Sequence, residues 1–358
     1  MALPGSSNFT GSRNGFVLLG FPCRREIRPL LFSFFSVSFA LTLLGNGAIV
    51  CTVRRDRRLH TPMYLLLGSF SFVEICYVTS TVPNLMVNIL SDTKAISLAG
   101  CFLQFYCFFS LGTTECLHLS VMAFDRFLAI CQPLRYPSIM TNRSCAHLVI
   151  SCWAGGFLWF LLPVYLVAQL PFCGPNVIDH ILCDSGPLLA LSCTPAPGLE
   201  FTCSGLSFLL LLGSLLFILG SYALVLRAVL RVPSAAGRHK AFSTCGSHLA
   251  VVALFYGSVM GTYVSPGAGG SGGGQKVVTL FYSVLTPLCN PLIYSLRNQE
   301  MKAALRSGLG WAGPHPGLLD LGHINYELPT QPHPGLLDLG QINYELPVQP
   351  HHPPTASA

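Results

Sequence analysis

Charge is what this sequence has least of. Only 9% of its 358 residues are Asp, Glu, Lys or Arg, against about 25% in an ordinary soluble domain. So few charges cannot cover the surface of a soluble fold of this length, which excludes an ordinary cytosolic enzyme. Catalytic signatures are missing as well: there is no HExxH and no nucleophile–base–orienter set. No second pair at zinc spacing accompanies His180 and Cys183, so those two are not read as metal ligands. The one literal GxGxxG, at 267–272, has no strand before it and reads as a flexible linker, not a nucleotide loop.

What is present is apolar. Hydrophobic residues make up 51% of the chain and the mean hydropathy is +0.57, which describes a polytopic membrane protein. A spanning helix needs about 20 mostly apolar residues. Seven stretches qualify, near 30–53, 63–90, 101–130, 145–167, 201–226, 241–264 and 277–296. The first is not a cleaved signal peptide, because it starts far from Met1, is too long and ends in Arg54 and Arg55. The expected fold is therefore all-α, a seven-helix transmembrane bundle over 30–296. A segment at 1–29 precedes it, and a short amphipathic helix at 297–310 and a tail at 311–358 follow. The tail carries an 18-residue tandem repeat, 315–332 and 333–350, whose copies differ at two positions (His323/Gln341 and Thr330/Val348). Its many Pro and Gly residues predict disorder.

The few charges are informative by position. Of the 20 Lys and Arg residues, 14 follow spans one, three, five and seven. That bias places the N-terminus outside and the C-terminus in the cytoplasm. It also accounts for the net charge of +6 without a nucleic-acid partner. Asn8 heads a glycosylation sequon, Asn8-Phe9-Thr10, on the outer side. Four cysteines also fall outside: Cys101, Cys173, Cys183 and Cys193. They allow three pairings. Stapling the long loop after span four to span three would turn that loop into a lid.

Ionisable groups inside a bilayer are expensive and need a reason. Glu74 in span two and Glu115 in span three both fall near mid-depth. Two carboxylates at one depth either share a proton or bind a cation, with sodium as the candidate. The alternative is a neutral, hydrogen-bonded acid that serves packing. Asn46 and Asn290 could complete the cluster. Asp125-Arg126 closes span three and can form a local lock that opens in a switch. Pro291 removes a backbone hydrogen bond inside span seven and is expected to kink it. The kink would let Tyr294 swing, with Tyr222 near the end of span five as its partner.

Asp125-Arg126 and Asn290-Pro291-x-x-Tyr294 resemble the rhodopsin-like G-protein-coupled receptors. Four further motifs are more specific: Leu59-His-Thr-Pro-Met-Tyr64; Met122-Ala-Phe-Asp-Arg-Phe-Leu-Ala-Ile-Cys131 with Pro133-Leu-Arg-Tyr136; Lys240-Ala-Phe-Ser-Thr-Cys-Gly-Ser-His248; and Pro287-Leu-Cys-Asn-Pro-Leu-Ile-Tyr-Ser-Leu-Arg-Asn298. In this order, over about 15–306, they resemble an olfactory (odorant) receptor of the tetrapod, volatile-odorant class. The resemblance implies disulfides Cys101–Cys183 and Cys173–Cys193. It implies that Arg126 contacts a stimulatory, olfactory-type G protein that drives adenylyl cyclase, and that the receptor resides in the plasma membrane of sensory cilia. Tyr256 would take the toggle position beneath the odorant. The pocket faces would fall on Phe108, Phe109, Gly112 and Thr113 in span three and on Leu206, Ser207 and Leu210 in span five. In spans six and seven they would fall on Val259, Met260, Tyr263 and Ser283. That lining, apolar with a few hydroxyls, suits a small volatile with one polar group. No cofactor is expected, sodium apart. The chain departs from the family pattern at Glu74, where Asp is usual, and at Phe124 and Phe127, where tyrosines are usual.

Overall fold

In a bilayer the backbone must satisfy its own hydrogen bonds, and unbroken helices do so. The computed structural model describes residues 15–21, 24–173, 175–231, 234–264, 273–297 and 299–308. The long helices are α1 (Arg28–Arg55), α2 (Pro62–Leu90) and α3 (Leu98–Cys131). After the short α4 (Tyr136–Ile139) comes α5 (Asn142–Ala168), and after the short α6 (Ser185–Ala190) come α7 (Pro197–Leu230) and α8 (Ala235–Val264). The last span is composite: α9 (Gly273–Leu280), a π-turn (Phe281–Leu285) and α10 (Thr286–Arg297). Six stretches among the described residues are long and apolar enough to cross a membrane, and a shorter apolar stretch, Cys245–Met260, lies in α8. Asn8 and the tail repeat lie outside the described residues.

Local chemistry sets the helix starts. The Ser97 hydroxyl accepts the Gly100 N–H at 3.1 Å to begin α3, and Thr141 accepts the Ser144 N–H at 3.1 Å to begin α5. Proline opens α1, α2 and α7, where its missing N–H is not needed. Hydroxyls within the spans bond back along their own helices, as Thr42 does to the Ser38 carbonyl (2.8 Å) and Ser221 to that of Phe217 (2.9 Å). This satisfies their hydroxyls within the protein interior. Pro291 sits inside α10. The irregular part of the seventh span is the π-turn about two turns earlier, which the proline did not foretell. Pro83 and Pro163 also lie within helices, α2 and α5.

Helix α3 is the centre, packed against α2, α5, α7 and α8. It fits tightly against α5, where Gly156 leaves no room for a side chain beside Thr114 and Ser110. Helix α11 (Gln299–Gly308) buries Met301 and Ala304 against the bundle. The Tyr64 hydroxyl of α2 donates to the Glu300 carboxylate at 2.6 Å and ties that helix in place.

The loops at one end form a sheet that sequence periodicity did not announce. Strand β1 (Gly15–Leu18) lies between β2 (Ala95–Ser97), antiparallel, and β3 (Val177–Ile178), parallel. Phe16 and Leu18 point into the core at 2% and 0% exposure. Segment 1–29 is thus structural over part of its length.

Candidate functional site

Beneath that sheet lies a cavity of about 330 Å³. Its lining is largely aromatic: Tyr77, Phe108, Phe109, Phe160, Phe255 and Tyr282. Tyr77 stacks on Phe108 with ring centroids 5.1 Å apart, and Phe109 packs on Phe160 at 5.0 Å. Thr113, Ser204, Ser207 and Thr279 supply hydroxyls. Two of these already donate along their helices, Thr113 to the Phe109 carbonyl (2.8 Å) and Ser207 to that of Cys203 (2.9 Å), and keep only acceptor lone pairs for a guest. The roof is Asp184, Ser185, Gly186 and Pro187.

Of the residues expected here, Phe108, Phe109, Gly112, Thr113, Ser207, Leu210 and Val259 line the cavity. Four do not. Leu206 precedes Ser207, a rotation of about 100° around α7, and turns off the wall. Met260 is 41% exposed on the outer face of α8. Ser283, in the π-turn, faces a far smaller pocket of about 10 Å³ with Thr81 and Ile181. Tyr256 stands one layer behind the wall. Its hydroxyl donates to Ser214 at 2.7 Å, and Tyr256 is not among the residues that line the cavity. The side chain of Tyr263 lies outside the described residues. The long loop was expected to form a lid, but its residues that line the cavity, Asp184 to Pro187, were not named, although they had a signal: residues just after a cysteine stapled to α3 must hang over the mouth.

Two disulfides hold the roof. Cys101 joins Cys183 with Cα atoms 5.5 Å apart, and Cys173 joins Cys193 at 5.0 Å. The Cys183 N–H also donates to the Gln104 side-chain carbonyl at 3.1 Å. His180 is buried beside them, and burial holds its imidazole below the ordinary value.

Deeper in the bundle, Glu74 and Glu115 are 1% and 2% exposed on adjacent helices and close enough for their charges to interact. The Asn290 amide donates to Glu74 Oε1. The Asn46 amide donates to the Thr42 and Pro287 carbonyls at 3.1 and 3.2 Å. Four buried oxygens are left without a partner: Glu74 Oε2, Glu115 Oε1, Asn46 Oδ1 and Asn290 Oδ1. A buried acceptor without a donor is costly. An all-oxygen set with two carboxylates fits a hard cation or a shared proton. Among the described residues no group of three or more His, Cys, Asp or Glu is arranged to hold a metal.

At the end of α3 far from the roof, Asp125 uses both oxygens. Oδ2 accepts from Arg126, with Nε at 3.0 Å and Nη2 closer still, and Oδ1 accepts the Tyr136 hydroxyl at 2.8 Å. Burial, then the Asp125 charge, pushes the Tyr136 phenol up. The lock therefore has a third member, from α4, that a search for adjacent charges does not reveal. Tyr222 does not meet Tyr294 here. Its hydroxyl lies 2.7 Å from His248 Nδ1. The Tyr294 hydroxyl is buried without a partner, its ring packed edge-on to Phe70 at 6.3 Å. Pairing Tyr222 with Tyr294 would mean breaking the contact with His248.

The sequence profile of the family described as Olfactory receptor matches residues 35–309. The chain is 63% identical over 305 residues to human "Olfactory receptor 11G2", covering 85% of this chain and 87% of that protein. It is 63% identical over 295 residues to human "Olfactory receptor 11H6", covering 82% and 89%. In three dimensions it is similar to the crystal structure of squid rhodopsin, with a TM-score of 0.66 at 16% identity over 81% of this chain and 82% of the other.

Proposed function

The chain belongs to the olfactory receptor family, and from that premise we propose that it binds a small volatile odorant beneath the roof and activates a stimulatory, olfactory-type G protein that raises cAMP. As a member it is a seven-helix signalling receptor of the membrane and not an enzyme. The observation that carries the proposal is the layout of α3. One helix lines an aromatic cavity at one end and holds Arg126 in a three-membered lock at the other. A guest that shifts α3 against its neighbours can bias the lock only if it binds the two states unequally. The arginine bias supports an outer N-terminus, with the sequon at Asn8 outside and the Arg126 end in the cytoplasm. The orphan oxygens around Glu74 and Glu115 support sodium as a modulator that favours one state.

The test is a panel of volatiles applied to cells that express the receptor at their surface, with cAMP as readout. Arg126→Ala is expected to reach the surface and lose the response. A surface-expressed Arg126→Ala receptor that signals normally refutes the role given to Arg126. A wild-type receptor at the surface that answers no volatile in a broad panel refutes the proposal.

A further inference from the structure

Lys276, at the start of the seventh span, is 4% exposed. Buried lysines are rare and need partners. Its ammonium donates to the Gly20 carbonyl at 3.0 Å and to the Asp179 carboxylate. Those partners come from two other parts of the chain. Gly20 follows β1, and its own N–H is held by the His180 carbonyl at 3.1 Å. Asp179 follows β3 and leads into Cys183. One side chain therefore joins the N-terminal segment, the roof loop and α9.

The two sides of the roof are fastened differently. On the α3 side the Cys101–Cys183 bond is covalent. On the α9 side the ammonium of Lys276 is the charged fastening, and a sheet with strands of four, three and two residues adds little by itself. Lys276 also stands one helical turn before Thr279, which lines the cavity together with Tyr282. Roof and cavity wall meet at this residue.

We propose that Lys276 is a positioning residue that latches the roof shut on its α9 side, that the roof swings about the Cys101–Cys183 bond when the latch releases, and that this release limits how fast a guest leaves the cavity. The inference rests on the odorant-receptor reading for its guest, but the latch itself does not depend on it. Asp179 keeps 60% of its side chain exposed whereas Lys276 keeps 5%. Release thus hydrates the lysine and changes little at the aspartate. The charge is what fastens, so methionine, which keeps much of the stem but has no charge, should not serve at 276.

The experiment uses the full receptor in lipid nanodiscs, comparing wild type with Lys276→Met, Lys276→Arg and Asp179→Asn. Hydrogen exchange is followed at the Val17, Leu18 and Leu19 amides, which donate to the Asn176, Lys94 and Ile178 carbonyls. In cells, the decay of cAMP is followed after an agonist is washed out. Lys276→Met and Asp179→Asn should speed exchange and response decay by about tenfold or more, the scale of losing one charge-assisted hydrogen bond. Lys276→Arg keeps the charge on a larger, planar head and should fall between wild type and Lys276→Met. Asp179→Asn alters an exposed side chain and keeps the fold testable should Lys276→Met express poorly. Unchanged exchange in both neutralising variants overturns the latch. Faster exchange with unchanged decay overturns the claim that guests leave through the roof and points to exit between helices. If wild type answers no volatile, the receptor reading fails, while the exchange data still decide whether Lys276 holds the roof.

Discussion

Two adjacent glycines in α5 should respond very unequally to the same substitution. A Cβ at Gly156 would overlap the Thr114 hydroxyl and lie 2.8 Å from the Ser110 carbonyl oxygen and 3.0 Å from Thr114 Cβ. Ordinary contact begins near 3.5 Å, so the helices must part by about 0.7 Å or more to relieve the carbonyl alone. The Thr114 hydroxyl cannot simply rotate away, because it donates to that same Ser110 carbonyl at 2.8 Å. Overpacking costs about 1–3 kcal/mol and the compromised hydrogen bond about 1 more. Gly156→Ala should therefore destabilise the receptor by about 2–4 kcal/mol, on the sum of those two effects. At Gly155 the same Cβ would meet only the Leu117 Cδ1 methyl, at 3.1 Å. That is the far end of a flexible side chain, so Gly155→Ala should cost about 1 kcal/mol or less. Thr114→Ala should recover part of the Gly156→Ala loss by removing the hydroxyl but not the carbonyl clash. The assay is thermal unfolding of purified receptor in detergent, supported by surface staining. Equal stability of the two glycine variants would refute the close packing of α3 and α5.

Further outcomes follow from the same geometry. Cys101→Ser should free the roof from α3, at the about 2–5 kcal/mol typical of a lost native disulfide, and should retain the protein inside the cell. A free Cys101 thiol found by non-reducing peptide mapping of the wild type would contradict this. Glu115→Gln removes one of two facing carboxylates and should abolish any rise in thermal stability on adding sodium. If wild type itself ignores sodium, a shared proton is the better account. His180 is held neutral by burial, against the charges of Asp184 and Asp179 and aided by that of Lys276. The unfolded chain therefore takes up this proton first, and stability falls as pH drops below about 6.5 towards the lower folded value. Melting curves between about pH 8 and 5 should show this loss, and His180→Gln should flatten it.

The spans were legible because apolar runs of this length have one solution in a bilayer. The lock was legible because Asp125 and Arg126 are neighbours in the chain. Rotational phase was harder to read. Helix α7 is apolar on nearly every side, since lipid is as apolar as a protein core, and no stripe marks which face meets the cavity. Ser207 and Leu210 landed on the wall while Leu206 did not. Met260 failed for the same reason, because an exposed methionine facing lipid has the composition of a buried one. The sheet was hidden for another reason: β1 owes its conformation to partners about 80 and 160 residues away in the chain and carries too short a pattern to be seen alone. Lys276 counted in the sequence as one more loop charge. Only the fold shows it buried under Gly20 and Asp179.

The middle position of β1 in that sheet has a consequence for biogenesis. Val17 and Leu18 leave the ribosome about 160 residues ahead of Val177 and Ile178, the partners they must wait for. At about 5–20 residues per second the delay is roughly 8–30 seconds. Over that interval four helices are threaded into the membrane; β2 becomes available about halfway, at Ala95–Ser97, while the edge of β1 that meets β3 stays unpaired. The nascent receptor thus carries one open strand edge until its fourth helix is inserted. A quality-control factor that recognises unpaired strands would find its target there, and would lose it only once the roof had closed.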